Sequence, residues 1–141
     1  MVGVAYEHMV LVDTSAVVAL HDPAAKHHDV ALEFYNASQD TRWFAVNVTA
    51  HEAFTRGRYD SGLGRALQHF YFLRAQPVRP LPFTEADEAR AIALLKKYGE
   101  HRLSFHDALC AAIMKRESIY RVFSFDKDFW IMGFEMVPGC G

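Results

Sequence analysis

The chain has 141 residues, of which 51% are hydrophobic and 13% aromatic, and its formal net charge is −2. This length suits one domain with a single core, and the composition excludes a disordered tail. The two cysteines, Cys110 and Cys140, are too few for a disulfide framework, so we expect reduced thiols in a cytoplasmic protein. The sequence contains no apolar run of 18 residues, which excludes a spanning helix, and its start does not resemble a signal peptide.

Strand and helix patterns alternate through the first half of the chain. The predicted elements are a strand at Met9–Val12, a helix from Pro23 to about Asp40, a strand at Trp43–Val46, a helix from Val48 to about Arg58 and a helix at Arg65–Arg74. The next apolar segment, Val78–Phe83, contains Pro80 and Pro82. Because proline cannot donate to a strand ladder, we expect this segment at a sheet edge or in a linker.

Capping residues predict the helices of the second half. Thr84 precedes three acids and a helical pattern that Gly99 ends, and Ser104 caps a helix at roughly Phe105–Arg116. Strands are predicted at Ile119–Phe125 and Phe134–Val137. Alternating strands and helices imply right-handed crossovers. We therefore predict one α/β domain over residues 1–141, a three-layer α/β/α fold with a mostly parallel central sheet.

Acidic residues follow strands or open helices at four separate places. Asp13 interrupts an apolar segment directly after the first strand, where an unpaired carboxylate is costly, and Asp126 follows the strand Ile119–Phe125. Glu52 and Asp107 lie in the first turns of two helices. In open parallel sheets, ligands bind beyond the carboxyl ends of the strands, so these acids are expected to converge. A hard divalent cation, Mg²⁺ or Mn²⁺, resolves their mutual repulsion.

Each acid also has an ordinary structural interpretation. Glu52 suits a solvated helix face, and Asp107 suits a helix N-terminus, where the macrodipole favours an acid. Asp126 and Asp128 suit a turn, and we expect Asp128 to be the structural member of this pair. Asp13 has the weakest alternative, because its apolar neighbours leave little other use for a carboxylate.

Four segments together carry a family resemblance: LVDTSA, VTAHEAF, SFHDALCAAI and FSFDKDF. In this order and at these intervals they resemble the PIN-domain nucleases, especially the VapC-type toxins, over nearly the whole chain. The resemblance implies metal-binding acids at Asp13, Glu52, Asp107 and Asp126, with Asp128 assisting. It also implies a Mg²⁺- or Mn²⁺-dependent endoribonuclease that hydrolyses RNA phosphodiester bonds, a homodimer and a cognate antitoxin. The sequence departs from the family pattern in two places. Ser124 stands where the family usually has threonine, and the segment before Met9 is longer than is typical.

Hydroxyl and cationic residues complete the candidate site. Thr14 and Ser15 follow Asp13, where their hydroxyls either orient Asp13 or a water or only cap the first helix. Ser124 keeps a hydroxyl before Asp126. Between Arg56 and Arg79 five arginines accompany a single acid, which favours contact with RNA phosphates. The candidate substrate-binding residues are Arg56, Arg58, Arg65 and Lys127. The aromatic residues 69–72 suit base stacking or, as we prefer, a core or dimer seam.

Other chemistries fail on particular residues. HEAFT, at residues 51–55, has threonine where a zinc protease needs its second histidine, and there is no phosphate-binding glycine loop. The pairs His27–His28 and His101…His106 lack ligand spacing, so we expect surface or capping roles for them. The alternative function is a PIN-like domain that binds RNA or a protein without cleavage. Four intact acids argue against this alternative.

Overall fold

A computed structural model describes residues 8–139 of the chain. The segment before His8, whose role the sequence leaves open, and Cys140 lie outside this range. The five described strands are β1 (Met9–Val12), β2 (Arg42–Val46), β3 (Arg79–Leu81), β4 (Arg121–Phe123) and β5 (Glu135–Val137). They form one sheet in the order β3-β2-β1-β4-β5, and every neighbouring pair is parallel. The predicted parallel sheet is confirmed.

Seven α-helices connect these strands within residues 8–139. They are α1 (Thr14–His21), α2 (His28–Ala37), α3 (Asn47–Ser61), α4 (Leu63–Arg74), α5 (Glu85–Lys97), α6 (Phe105–Glu117) and α7 (Asp128–Ile131), and a 3₁₀ turn at Gly99–His101 precedes α6. In the part of the chain described here, no helix combines the length and apolar character that a membrane crossing requires.

Two hydrophobic clusters lie on opposite faces of the sheet. Val10 and Val12 of β1 pack with residues of α1 to α4, whereas Leu11 packs with residues of α5, α6 and α7. Alternate side chains of one strand point to opposite faces, so β1, at the centre of the sheet, is buried on both. This arrangement confirms the three-layer α/β/α prediction.

Several element boundaries differ from the sequence prediction, and two of them have a clear local cause. The helix expected from Pro23 begins only at His28, because Asp22 is extended before a proline and its Oδ1 accepts from Ala24 N at 2.9 Å. The strand expected from Ile119 begins at Arg121, because Ile119 N still donates to Met114 O at 2.9 Å. Of the edge or linker expected for Val78–Phe83, the structure shows the edge: among the described strands, β3 pairs only with β2.

Helices α3 and α4 approach each other closely at Gly57. A Cβ atom there would lie 2.7 Å from Cδ2 of His69 and 3.0 Å from Cα of Ala66. His69 is 1% exposed and stacks on His21, with ring centroids 5.0 Å apart. His69 therefore belongs to the core between α1, α3 and α4. This position agrees with the core or dimer seam that the sequence analysis preferred for residues 69–72. Cys110, a free buried thiol in α6, also agrees with the sequence prediction.

Candidate metal centre

Asp13 lies at the junction between β1 and α1. Its backbone N–H extends the ladder by donating to Phe123 O at 3.1 Å, and its side chain caps α1. The carboxylate Oδ2 accepts from Ser15 Oγ and from Ser124 Oγ, both at 2.9 Å, and from Ser15 N at 3.4 Å. Asp13 is only 2% exposed. The backbone hydrogen bond to β4 and the two serine hydroxyls therefore fix the orientation of this buried carboxylate.

Ser15 and Ser124 also position the loop that follows β4. Ser15 Oγ accepts from Phe125 N at 2.9 Å, and Ser124 Oγ accepts from Asp126 N at 3.0 Å. Each hydroxyl donates its hydrogen to Asp13 and accepts a backbone N–H from the loop. The two serines thus connect Asp13 to the backbone at Asp126.

Glu52 reaches the same edge from the second turn of α3. Its Oε1 accepts from Thr14 Oγ1 at 2.6 Å, and its Oε2 lies 3.3 Å from His106 Nδ1. The hydroxyl of Thr14 therefore orients Glu52, while the hydroxyl of Ser15 orients Asp13. The Glu52 side chain is 40% exposed, whereas Asp13 is almost fully buried.

Asp107 projects from the first turn of α6, where Ser104 Oγ accepts its backbone N–H at 3.0 Å. The residue is 5% exposed. Burial, together with the charges of Asp13 and Asp126, raises its pKa to about 7, although a hydrogen bond with His106 favours the ionised form. A buried carboxylate beside two others carries negative charge that His106 offsets only in part, which is the electrostatic setting of a cation site.

Asp126 and Asp128 flank Lys127 in the turn between β4 and α7. Asp126 Oδ1 accepts from Asp128 N at 3.0 Å, so the turn acceptor is Asp126 and not Asp128 as expected. Burial and the neighbouring Asp126 raise the pKa of Asp128. Both carboxylates contribute to the acidic edge.

The described acids, together with His106, form two adjoining groups of candidate ligands. Asp13, Glu52 and His106 make one group, and Asp107, Asp126 and Asp128 make the other. Within each group the candidate ligand atoms all lie within 4.8 Å of one another. Carboxylate oxygens suit Mg²⁺ or Mn²⁺, so the donor set fits the hard divalent cation expected from the sequence. The structure brings all five predicted acids to one edge of the sheet.

His106 is the residue of this centre that the sequence analysis missed. The expected surface or capping role is wrong, because its side chain is only 8% exposed. Its Nδ1 lies 3.3 Å from Glu52 Oε2 and 3.3 Å from Asp107 Oδ1, and its Nε2 lies 2.8 Å from Thr49 Oγ1. A signal was available, because His106 shares a helix face with Leu109, Cys110 and Ile113 at helical spacing.

The charge state of His106 follows from these neighbours. Burial alone would lower its pKa, but Cys110, Asp107 and Glu52 raise it to about 12. Burial raises the pKa of the Cys110 thiol, so the carboxylates supply the negative charge at neutral pH. Without a metal ion, an imidazolium between Glu52 and Asp107 partly neutralises them.

The cationic candidates divide into two groups. Arg56 pairs with Asp60 at 3.6 Å on the exposed side of α3, and Arg58 and Lys127 are also exposed. Arg65 instead donates to the backbone oxygen of His21, at the end of α1, and to Gln68 Oε1 at 3.3 Å. The described contacts of Arg65 therefore tie α4 to α1.

Comparison with solved structures gives matches over almost the full length. The toxin VapC20 of Mycobacterium tuberculosis, described as cleaving the sarcin–ricin loop, has 27% identity and a TM-score of 0.83, over 89% of this chain and 95% of that one. FitAcB from Neisseria gonorrhoeae has 18% identity and a TM-score of 0.65, over 91% and 96%. A toxin–antitoxin complex from Klebsiella pneumoniae has 15% identity and a TM-score of 0.62, over 91% and 95%. The matches at 18% and 15% identity show a shared fold and nothing further.

The fold and the site define a class: a parallel three-layer α/β/α domain that gathers acids at the carboxyl edge of its sheet. The PIN domain family matches residues 10–134, which is most of the chain. This chain belongs to the PIN domain family, and its similarity to VapC20 agrees with the VapC-type resemblance of its sequence. A search of curated protein sequences gave no significant match.

Proposed function

We propose that this protein is a divalent-metal-dependent endoribonuclease, the toxin of a toxin–antitoxin pair, and that Mg²⁺ or Mn²⁺ is its cofactor. The observation that carries the proposal is the convergence of Asp13, Glu52, Asp107 and Asp126 from four distant segments at one edge of the sheet. Membership of the PIN domain family supports the nuclease assignment. The similarity to VapC20, which is described as a toxin that cleaves the sarcin–ricin loop, supports RNA as the substrate.

The four acids would hold the ion, with Asp128 assisting. A bound divalent cation supplies positive charge beside the attacked phosphate and lowers the pKa of a water molecule. The protein contributes the orientation of its carboxylates. Ser15 and Ser124 hold Asp13, and Thr14 holds Glu52.

His106 acts in this proposal as a positioning residue. Its Nδ1 faces one carboxylate from α3 and one from α6, and Thr49, which is fully buried, fixes the opposite nitrogen. A ring held at both nitrogens keeps Glu52 and Asp107 at a fixed separation. Hydrogen-bond partners of this kind orient ligands and commonly change metal affinity by about 10–100-fold when they are removed.

The proposed partners are RNA, a cognate antitoxin and a second copy of the chain, and the proposed compartment is the cytoplasm. Two helices carry exposed apolar side chains that support a protein partner: Val30 and Leu32 on α2, and Leu63 and Tyr71 on α4. An apolar cavity of about 340 Å³ lies between α3 and α4, and Phe54, Phe70 and Tyr71 line it. An amphipathic helix fits such a groove.

The test of the proposed function is incubation of purified protein with total RNA. Cleavage is expected with Mn²⁺ or Mg²⁺ and is expected to stop with EDTA. Cleavage that continues in EDTA would contradict the metal mechanism. Intact RNA in every condition, with a protein that still binds RNA, would favour the non-cleaving alternative.

A further inference from the structure

A cleft of about 420 Å³ opens directly onto the acidic centre. Its walls come from α1, the α1–α2 connection, α3 and the turn after β4, and Ser15 and Asp126 belong to its lining. We infer that this cleft seats one nucleotide of the RNA strand next to the scissile phosphate, with His27 and Phe125 against its base and Lys26 and Arg56 near its phosphate. This inference rests on the proposed function and names a substrate subsite for it.

The aromatic wall of the cleft consists of His27 and Phe125. Their ring centroids lie 4.4 Å apart and their planes differ by 6°, so the two rings form one stacked unit. Phe125 is fixed in turn, because its N–H donates to Ser15 Oγ at 2.9 Å and its ring packs on the core residue Phe123. A preformed ring stack next to a catalytic edge suits an unpaired nucleobase, since every base has an aromatic face.

The cations of the cleft belong to the same lining as this aromatic wall. Lys26 and Arg56 contribute two cations, and both side chains reach solvent. Asp60 pairs with Arg56 at 3.6 Å, while Asp22 accepts from Ala24 N at 2.9 Å and keeps its negative charge. Lys26 is therefore the cation best placed for a phosphate.

The size and position of the cleft select a single nucleotide. A volume of about 420 Å³ lies near the lower end of the range for small-molecule sites, which is about 300–1,000 Å³. Because Asp126 lines both the cleft and the acidic edge, a nucleotide in the cleft adjoins the candidate metal ligands. Another cavity, of about 690 Å³, shares no lining residue with the cleft and is lined by Lys127 and Trp130, among others.

The experiment measures binding of a short fluorescent single-stranded RNA to the full chain by anisotropy, in EDTA so that the RNA stays intact. His27→Ala is expected to weaken binding by at least about fivefold, the lower limit for loss of one stacked base. His27→Phe keeps the ring and is expected to restore most of the affinity. Trp130→Ala is the matched control, because Trp130 is an aromatic residue 71% exposed that lines the other cavity.

Salt dependence distinguishes the base contact at His27 from the phosphate contact at Lys26. Lys26→Ala is expected to reduce the slope of log affinity against log salt by about 0.7, the value for one phosphate contact on a single strand. His27→Phe is expected to leave that slope unchanged. Thermal melts of each variant establish that it is folded. Lys115→Ala, at an exposed lysine outside the cleft lining, is expected to change neither quantity.

The outcomes distinguish the cleft from the nuclease assignment. If folded His27→Ala binds the RNA with wild-type affinity, the proposed nucleotide site is refuted. A loss of RNA affinity confined to Trp130→Ala would refute it as well. If RNA cleavage with Mn²⁺ is present in the same preparation, the proposed function stands without the cleft. If binding depends on His27 and Lys26 while no cleavage occurs with Mn²⁺, the cleft stands and the nuclease assignment fails.

Discussion

Replacing Asp107 with asparagine should stabilise the protein when no metal is bound. The folded state raises the pKa of this carboxyl from 3.8 to about 7, chiefly through burial, and each pKa unit corresponds to about 1.4 kcal/mol. At pH 8 the cost of ionising Asp107 therefore reaches about 4 kcal/mol. Asparagine removes this cost but weakens the contact with His106, which is worth about 1–3 kcal/mol. The expected net gain is about 1–3 kcal/mol.

The pH dependence of this gain has a definite sign. An acid whose pKa is raised by folding is protonated in the folded state, so the stability it confers is present below pH 3.8 and is lost as the pH rises through about 7. The advantage of Asp107→Asn is therefore close to zero at pH 5 and largest at pH 8. Differential scanning calorimetry in EDTA should show a melting temperature about 3–9 °C above that of the wild type at pH 8.

A matched control separates this effect from that of an ordinary helix acid. Asp29 is an exposed acid in the first turn of α2, so Asp29→Asn should lower stability slightly, by about 0.3–1 kcal/mol. Added Mn²⁺ should raise the melting temperature of the wild type more than that of Asp107→Asn, because it binds the folded form and one ligand is missing in the variant. If Asp107→Asn behaved like Asp29→Asn at pH 8, with equal shifts on adding Mn²⁺, a shared metal centre would be refuted.

Three further expectations follow from the packing and the surface. His106→Ala should weaken Mn²⁺ binding, measured by calorimetry, by about 10–100-fold, while His106→Asn, which keeps a donor near the Nδ1 position, should recover part of it; an effect no larger than that of exposed His101→Ala would contradict the positioning role. Gly57→Ala should destabilise the protein by about 1–3 kcal/mol in urea, because its Cβ would meet His69 at 2.7 Å, whereas Gly64→Ala, in open space within α4, should be neutral or stabilising. Light scattering at micromolar concentration should show a dimer, and a strict monomer that no co-expressed partner binds would count against the toxin assignment.

The fold followed from the sequence where local signals agreed with the tertiary arrangement. The apolar run at β1 predicted a strand buried on both faces, and Thr84 and Ser104 marked the starts of α5 and α6 because each side chain accepts the backbone N–H three residues on. The edge position of β3 followed from Pro80. In each case the physical cause acts within a few residues.

The boundaries that the sequence misplaced are set by local turns that the helix and strand periods do not show. The start of α2 is set by a turn at Asp22, and β4 is shortened because Ile119 still bonds to α6. Helical periodicity alone carried neither signal. Propensity placed the elements, but the hydrogen bonds at their ends determined their limits.

The candidate site was predictable as a set of acids but not as a network. Parallel strands bring their carboxyl ends to one edge, so the convergence of Asp13 and Asp126 followed from topology. The division of labour between Thr14 and Ser15 did not, because neighbouring residues on a helix point about 100° apart and only the fold shows which carboxylate each one meets. His106 was missed because its partners come from α3 as well as α6.

The most direct test of the central claim is the initial rate of RNA cleavage by wild-type protein and by Asp107→Asn at saturating Mn²⁺. Charge stabilisation by a bound cation is worth several kcal/mol, so loss of a ligand carboxylate should reduce the rate by at least about a hundredfold. The variant should remain folded and, in EDTA, should be more stable than the wild type. A folded Asp107→Asn protein that cleaves RNA at the wild-type rate would contradict the assignment of these acids to one metal-dependent nuclease centre.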